Sequence, residues 1–454
     1  MNDNEAPADA VLARGNIGWV QLLALGVSYA IAGDYAAWNY GLGTSGWGGL
    51  MIAVGVMAIF YLCLMFCMAE LAAAIPSAGG GYAFVRRAFG RAPGFAVGFC
   101  IAIEYVMLTA VIGIFLSSYF QGLTGMGGVW VMVAAYAIFL SMHLLGVGEA
   151  LKVMLALAAI GFAGIVVFTL FTLPHFSFAS LVAGGGPVPP GAFPFGLSGV
   201  VAGLPFGMAF FLAVEGLPLA SEEVRDPVRD MPIAMILAWA TLLLLGVVLL
   251  FAAPGATGTA PLLRTDSPLI VAMNAVRVPP VVMLLVNVAG LVAISASFFS
   301  TIYAYSRQLF ALSRAGYLPR FLSHTNRRHA PWAALLFPGV VAFALSAWWS
   351  AEPALLVGVF CATLSYLCML AAFIYLRVTQ PEMPRPYRAF GGAVTVAVAL
   401  VLAAGAFLSS FLAAPLWSLI AAGLIGLGLV YYGLYARHHL THSVDDRLMG
   451  EGAD

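Results

Sequence analysis

Apolar runs of roughly twenty residues, separated by short polar loops, recur along almost the whole 454-residue chain. Each is long enough to cross the hydrocarbon core of a bilayer as a helix. The runs fall at about 17–41, 46–74, 94–120, 128–145, 150–173, 197–221, 233–253, 279–304, 332–349, 354–376, 392–412 and 415–435. The pattern predicts an all-α membrane protein with twelve transmembrane helices. The first run is interrupted near Gly33, and the sixth near Gly216 and Pro218. The glycine-rich stretch 184–191 reads as a loop, and the segment 254–278 carries a short helix beginning near Pro268.

Loop charge orients these runs. Threaded alternately, they place all but Arg264 and Arg277 of the 19 lysines and arginines on the side of the N-terminus. The positive-inside rule makes that side cytoplasmic. The expected location is the inner (plasma) membrane of a bacterium, multi-pass, with both termini inside. The expected organisation is a cytoplasmic tail (1–15), a ten-helix core (16–377), two further helices (378–437) and a second cytoplasmic tail (438–454).

Composition agrees with this picture. Apolar residues make up 63% and charged residues 8% of the chain, against roughly 25% charged in soluble domains. So few charges cannot solvate so large an apolar surface, so lipid must. The 50 glycines suit helices that pack closely in a membrane. The polar, acidic N-terminus lacks the basic region and short apolar stretch of a signal peptide. All five cysteines lie within apolar runs, with neither a disulfide framework nor metal spacing, and the histidines form no ligand cluster. Gly79-Gly80-Gly81 follows a membrane run and lacks the lysine and hydroxyl of a phosphate loop. No metal, cofactor or nucleic-acid partner is expected, and the basic loops can meet anionic lipid. A membrane-embedded enzyme would need a nucleophile and base, or a metal cluster, at one depth, and none is visible. A sensor would usually carry a soluble domain, and no soluble stretch is long enough.

Candidate chemistry lies at the interruptions. Asp34 sits in the middle of the first run, where a carboxylate costs about 2.5–3.5 kcal/mol even on the mildest scale. Such groups face a cavity or a partner. Interrupted helices at matching places in two oppositely directed halves mark an inverted-repeat transporter, with the solute held between the breaks. Backbone at Ala32, Gly33, Ala213 and Val214 is then available to polar groups. Tyr29, Tyr35, Trp38, Phe210 and Phe211 can supply cation–π contacts of about 0.5–2 kcal/mol each, or simple packing. Glu104 and Glu215 are further carboxyls inside runs. With Asp34 they are the candidates for carrying a proton, and structural hydrogen bonding is the alternative for each. Ser295, Ser297, Ser300 and Thr301 offer hydroxyls in the eighth run, for a sodium ion or for helix carbonyls. Glu222, Glu223, Arg225, Asp226, Arg229 and Asp230 form either a solvated loop or an inner gate pairing with Arg86, Arg87 or Arg307.

Four stretches resemble a known family. These are Ala69-Glu70-Leu71…Ile75-Pro76…Gly79-Gly80-Gly81-Tyr82, Glu222-Glu223…Arg225-Asp226-Pro227…Pro232, Ser306-Arg307…Gly316…Leu318-Pro319, and Glu104-Tyr105. Together they are similar to the amino acid–polyamine–organocation transporters over about residues 15–390. The resemblance implies a LeuT-like five-plus-five inverted repeat with broken helices one and six, followed by two extra helices. It implies secondary transport, with a small amine or amino acid as substrate and a proton as the expected coupling ion. Some members carry a lysine in span five, but that place falls near Ile160-Gly161 here, and the single lysine, Lys152, stands about two turns away. The run from Ser28 to Gly41, with Gly33-Asp34-Tyr35 and Trp38-Asn39, looks like the ethanolamine permease branch. Ethanolamine carries an ammonium and no carboxylate, which suits an anion at position 34. The alternative is a zwitterionic amino acid, its carboxylate held by the Ala32-Gly33 amides and a proton by Asp34.

Overall fold

The computed structural model describes residues 17–77, 79–145 and 148–440, the side chains of 148–152 excepted. The tails and their charges, including Arg14, His442 and Arg447, therefore lie outside the described residues. The helices are α1 (Trp19–Tyr35), α2 (Leu42–Ala74), α3 (Gly81–Phe89), α4 (Arg91–Thr124), α5 (Val129–Leu144), α6 (Gly148–Thr172), α7 (Phe178–Val182) and α8 (Gly196–Gly207). They continue with α9 (Pro227–Thr257), α10 (Pro268–Ala275), α11 (Pro280–Arg314), α12 (Trp332–Trp348), α13 (Ala351–Thr379), α14 (Gly392–Ala413) and α15 (Pro415–Leu434). Among the described residues there is no strand beyond two isolated bridges, Ile17 with Val224 and Gly185 with Val188.

Every apolar run in the sequence is carried by helix. Among the described residues, nine helical stretches are long and apolar enough to cross a membrane, while Val129–Leu144 and Trp332–Trp348 are apolar but shorter. The ends follow local chemistry. Gly125 ends α4 in the left-handed conformation (φ 76°), which glycine adopts without penalty. Pro227 opens α9 beside Asp226, whose side chain accepts the Arg229 amide at 3.3 Å, a proline-first, aspartate-cap start.

Small residues set the packing of α1. It lies against α9, α11 and α6. On α6, a side chain at Gly161 would strike Ala293 and Ile31, and one at Gly164 would strike Ala289 and the Tyr35 hydroxyl. So the place where the resemblance looks for a lysine is a tight helix contact in this chain.

Both helix interruptions lie elsewhere than the glycines suggest. α1 runs straight through Gly33 and ends at Tyr35. The break comes at Ala36, which is extended, and Ala37, at φ 80°. A 3₁₀ turn, Trp38–Gly41, then leads to α2. In the sixth run, α8 passes into a 3₁₀ turn at Met208–Phe210. The backbone then takes a left-handed conformation at Ala213, at φ 76°, before a 3₁₀ segment, Val214–Glu223, that contains Gly216 and Pro218. Gly33 serves a different end. Its backbone abuts the other break so closely that a Cβ there would sit 1.9 Å from the Ala209 carbonyl oxygen. An alanine at positive φ costs on the order of 1–3 kcal/mol and persists only where packing enforces it. Here each interrupted helix has one, Ala37 and Ala213.

Candidate functional site

The two breaks meet at a small apolar cavity of about 30 Å³, room for roughly one water's share of liquid volume. Helix α1 lines it with Tyr29, Ala30, Ala32, Gly33 and, past the break, Ala37. Ala209 and Leu212 come from the sixth run, Leu108, Val111, Ile112 and Phe115 from α4, and Leu355 from α13. Thus three expected residues, Tyr29, Ala32 and Gly33, face one space. The α4 contribution was not anticipated.

Asp34 is one residue along from this lining and is not part of it. It is fully buried, and neither carboxylate oxygen has a hydrogen-bond partner among the described residues. Its backbone carbonyl accepts the Trp38 indole N–H at 3.0 Å. An ionised carboxylate buried in this way is costly unless it is paired and hydrogen-bonded.

The aromatic candidates divide. Trp38 stacks on Phe210 with ring centroids 6.4 Å apart, and Phe211 packs on Tyr61 at 5.3 Å. The Tyr35 hydroxyl donates to the Gly161 carbonyl at 2.7 Å, and the Tyr35 carbonyl accepts from Tyr119 at 2.9 Å. These four brace the breaks. Of the expected aromatics, Tyr29 lines the cavity, with a buried hydroxyl that has no hydrogen-bond partner among the described residues. Ala213 and Val214 form the turn of the second break. The Ala32 amide is taken, since it donates to Ser297 Oγ at 3.0 Å. Ser300 and Thr301 donate to the carbonyls of Ala296 and Ser297, so these two hydroxyls satisfy their own helix.

Glu104 and Glu215 are neighbours and share a second cavity, of about 10 Å³, with Tyr105, Ser365 and Met369. Neither Glu215 oxygen, nor Glu104 Oε1, finds hydrogen-bond geometry among the described residues. Tyr366 lies beside Glu215 and its hydroxyl is 3.2 Å from that of Tyr61. A stacked pair, Tyr29 and Tyr105 (6.4 Å), stands between the two cavities. Gly216 touches both rings, since a Cβ there would lie 2.5 Å from the Tyr105 hydroxyl and 3.3 Å from the Tyr29 ring.

Charge concentrates at the arginine-rich end. Glu223 Oε1 accepts from Arg307 Nε (3.0 Å) and Nη2 (2.9 Å) and from the Tyr303 hydroxyl (2.8 Å). The Arg307 guanidinium lies 4.6 Å from the Tyr303 ring centroid. Glu222 pairs with Arg314 at 2.9 Å. The Ile17 amide donates to the Glu223 carbonyl, and the Arg225 amide to that of Ile17. Of the three arginines expected to partner this loop, Arg307 does so; Arg87 bonds to Gln380, and Arg86 donates to the Tyr82 hydroxyl. Glu70, from the resembling stretch at the end of α2, accepts from Arg377 and from the Ala389 amide and lies 3.4 Å from Arg385. That network ties α2 to α13 and to the approach to α14.

Many apolar helices around two interrupted ones, with buried carboxyls and small cavities between them, define a multi-pass membrane protein. A family model described as amino acid permease matches residues 17–440, and the chain belongs to that family of membrane transporters. An uncharacterized transporter of Rhizobium meliloti (strain 1021) is 30% identical over 342 residues, which are 73% of this chain and 72% of the relative. The branched-chain amino acid permease BcaP of Bacillus subtilis (strain 168) is 26% identical over 94% of each chain. The methylthioribose transporter of the same organism is 26% identical over 82% of this chain and 83% of its own.

Proposed function

We propose that this permease is a secondary active transporter of a small ammonium-bearing solute, with ethanolamine the foremost member of the class. The observation that carries the reading is Asp34, a fully buried carboxylate with two unpartnered oxygens beside the break of α1. An ammonium supplies the donors and the charge that Asp34 lacks, and a charge-assisted bond in a dry site is among the stronger ones. A substrate carboxylate would face both this anion and a backbone amide, that of Ala32, already given to Ser297. The second reading is a zwitterionic amino acid carrier. The apolar lining from Leu108, Val111, Ile112 and Leu355 favours it, and so does the family.

Nine long spans, the two shorter apolar helices and α1 make twelve crossings in this reading, arranged as two inverted five-helix repeats plus α14 and α15. Both termini and the Glu223–Arg307 end then face the cytoplasm of a bacterial cell. Closure of both ends around small cavities corresponds to an occluded intermediate of alternating access.

Protons are the proposed coupling ion. Glu104 and Glu215 line one small space, and like charges at close range disfavour each other. This pair is the proposed proton carrier, behind the Tyr29–Tyr105 pair that borders the larger cavity. Of the hydroxyls that could serve a sodium ion, Ser297 accepts from the Ala32 amide, and Ser300 and Thr301 donate to carbonyls of their own helix. In proteoliposomes, uptake of labelled ethanolamine should respond to an imposed pH gradient and not to a sodium gradient. Glu215→Gln should flatten the pH response while exchange continues. Sodium dependence with indifference to pH contradicts the coupling, and the absence of ethanolamine uptake or exchange contradicts the substrate.

A further inference from the structure

On the side of the cavity away from the arginines, the short turn after the α1 break bonds to the 262–266 segment, and Ser118 of α4 meets Ser267 at 3.3 Å. Asn39 Nδ2 donates to the carbonyls of Leu262 (2.7 Å) and Thr265 (2.9 Å). The neighbouring Tyr40 hydroxyl donates to Asp266 Oδ1. The Tyr40 ring packs on Phe115, centroids 6.5 Å apart, and Phe115 lines the cavity. Tyr40 and Phe115 thus cap the solute space, with a solvent-reachable carboxylate holding the cap. Arg264 and Glu352 are close by and act on each other. Asn39 is fully buried, yet its Oδ1 has no hydrogen-bond partner among the described residues, although the amide nitrogen on the same side chain binds the 262–265 segment twice. An unfilled acceptor, a carboxylate and two aromatic rings in one place suit an N–H-rich cation.

We propose that Asp266 is a second recognition site for the solute's ammonium group, at which the arriving cation displaces the Tyr40 hydroxyl and releases the cap. This rests on the ammonium reading given above. A neutral hydroxyl donor is a weaker partner for a carboxylate than an ammonium, so the solute itself opens its path. With the Tyr40–Asp266 bond broken, the two Asn39 bonds remain between the 262–266 segment and the turn after α1. Entry is then selective before the solute meets Asp34, and a solute without a cationic group leaves the cap in place.

The test separates rate from affinity. Ethanolamine binding to the purified full-length protein is followed by stopped-flow tryptophan fluorescence. Asp266→Asn keeps an acceptor for Tyr40 and removes the charge. It should slow association about tenfold, as loss of a steering charge at a cleft does. The equilibrium constant, set at Asp34, should stay nearly unchanged. In a second arm, Val111→Cys places a thiol in the cavity, and a membrane-impermeant thiol reagent is added from outside without solute. The five native cysteines, none of which lines the cavity, give the background. Tyr40→Phe should raise labelling several-fold. An unchanged association rate in Asp266→Asn overturns the recognition role, and unchanged labelling in Tyr40→Phe overturns the cap. Failure of the native protein to bind ethanolamine at all overturns the ammonium reading and this proposal with it. Binding that is indifferent to Asp266 overturns this proposal alone.

Discussion

Asp34→Asn should weaken ethanolamine binding by about 1.5–3 kcal/mol, the worth of a hydrogen bond to a charged group, or roughly ten- to a hundredfold in affinity. Asparagine keeps the size of the side chain and removes only the charge. The fold should survive, because an uncharged amide is less costly than a carboxylate at that depth. No ion pair is broken, since Asp34 has no partner among the described residues. A melting temperature that falls while affinity holds would instead mark Asp34 as a structural residue. Isothermal titration and thermal unfolding on one preparation distinguish the two.

Breaking the buried pair at the arginine-rich end should have a larger effect on stability. The Arg307 and Glu223 side chains are only 6% and 8% exposed. Removing one partner of such a pair strands the other charge, at a cost of about 3–5 kcal/mol. Glu223→Gln still accepts the Tyr303 hydroxyl and leaves Arg307 uncompensated. The melting temperature should drop by several degrees. With the side-chain tie between this loop and α11 weakened, the end should open more readily, and inward-side labelling of the Val111→Cys thiol should rise. An unchanged melting temperature with unchanged labelling would show that this pair does not hold the end shut.

What could be read in advance follows from how residue types signal themselves. Asp34, Glu104 and Glu215 stand out because a charge in an apolar run is costly wherever it points. The structure buries all three and brings the two glutamates together. The loop carboxylates Glu222 and Glu223 were equally legible, but not their choice of Arg314 and Arg307, which depends on how the end of α11 meets that loop. The α4 lining, from Leu108 to Phe115, carries no such mark. A leucine or valine in a membrane helix reads the same whether it faces lipid, a neighbour or a cavity, and hydropathy does not separate the three. The break positions were displaced for a related reason. Gly33 looks like a helix breaker, yet a membrane helix tolerates it, and here it lets two backbones touch. The actual turns fall on Ala37 and Ala213, residues with no local preference for positive φ. Only the surrounding packing holds them there.

The central claim is that the buried anion of α1 recognises an ammonium and that no substrate carboxylate is wanted. Its most direct test is thermal stabilisation of the purified protein by ethanolamine, choline, alanine, arginine and putrescine, each at a large excess. A ligand at 100 times its dissociation constant adds about 2.7 kcal/mol to the folded state, a clear upward shift in melting temperature. The account predicts that shift with ethanolamine and none with alanine. Stabilisation by alanine with none from ethanolamine would contradict it and establish the zwitterionic reading.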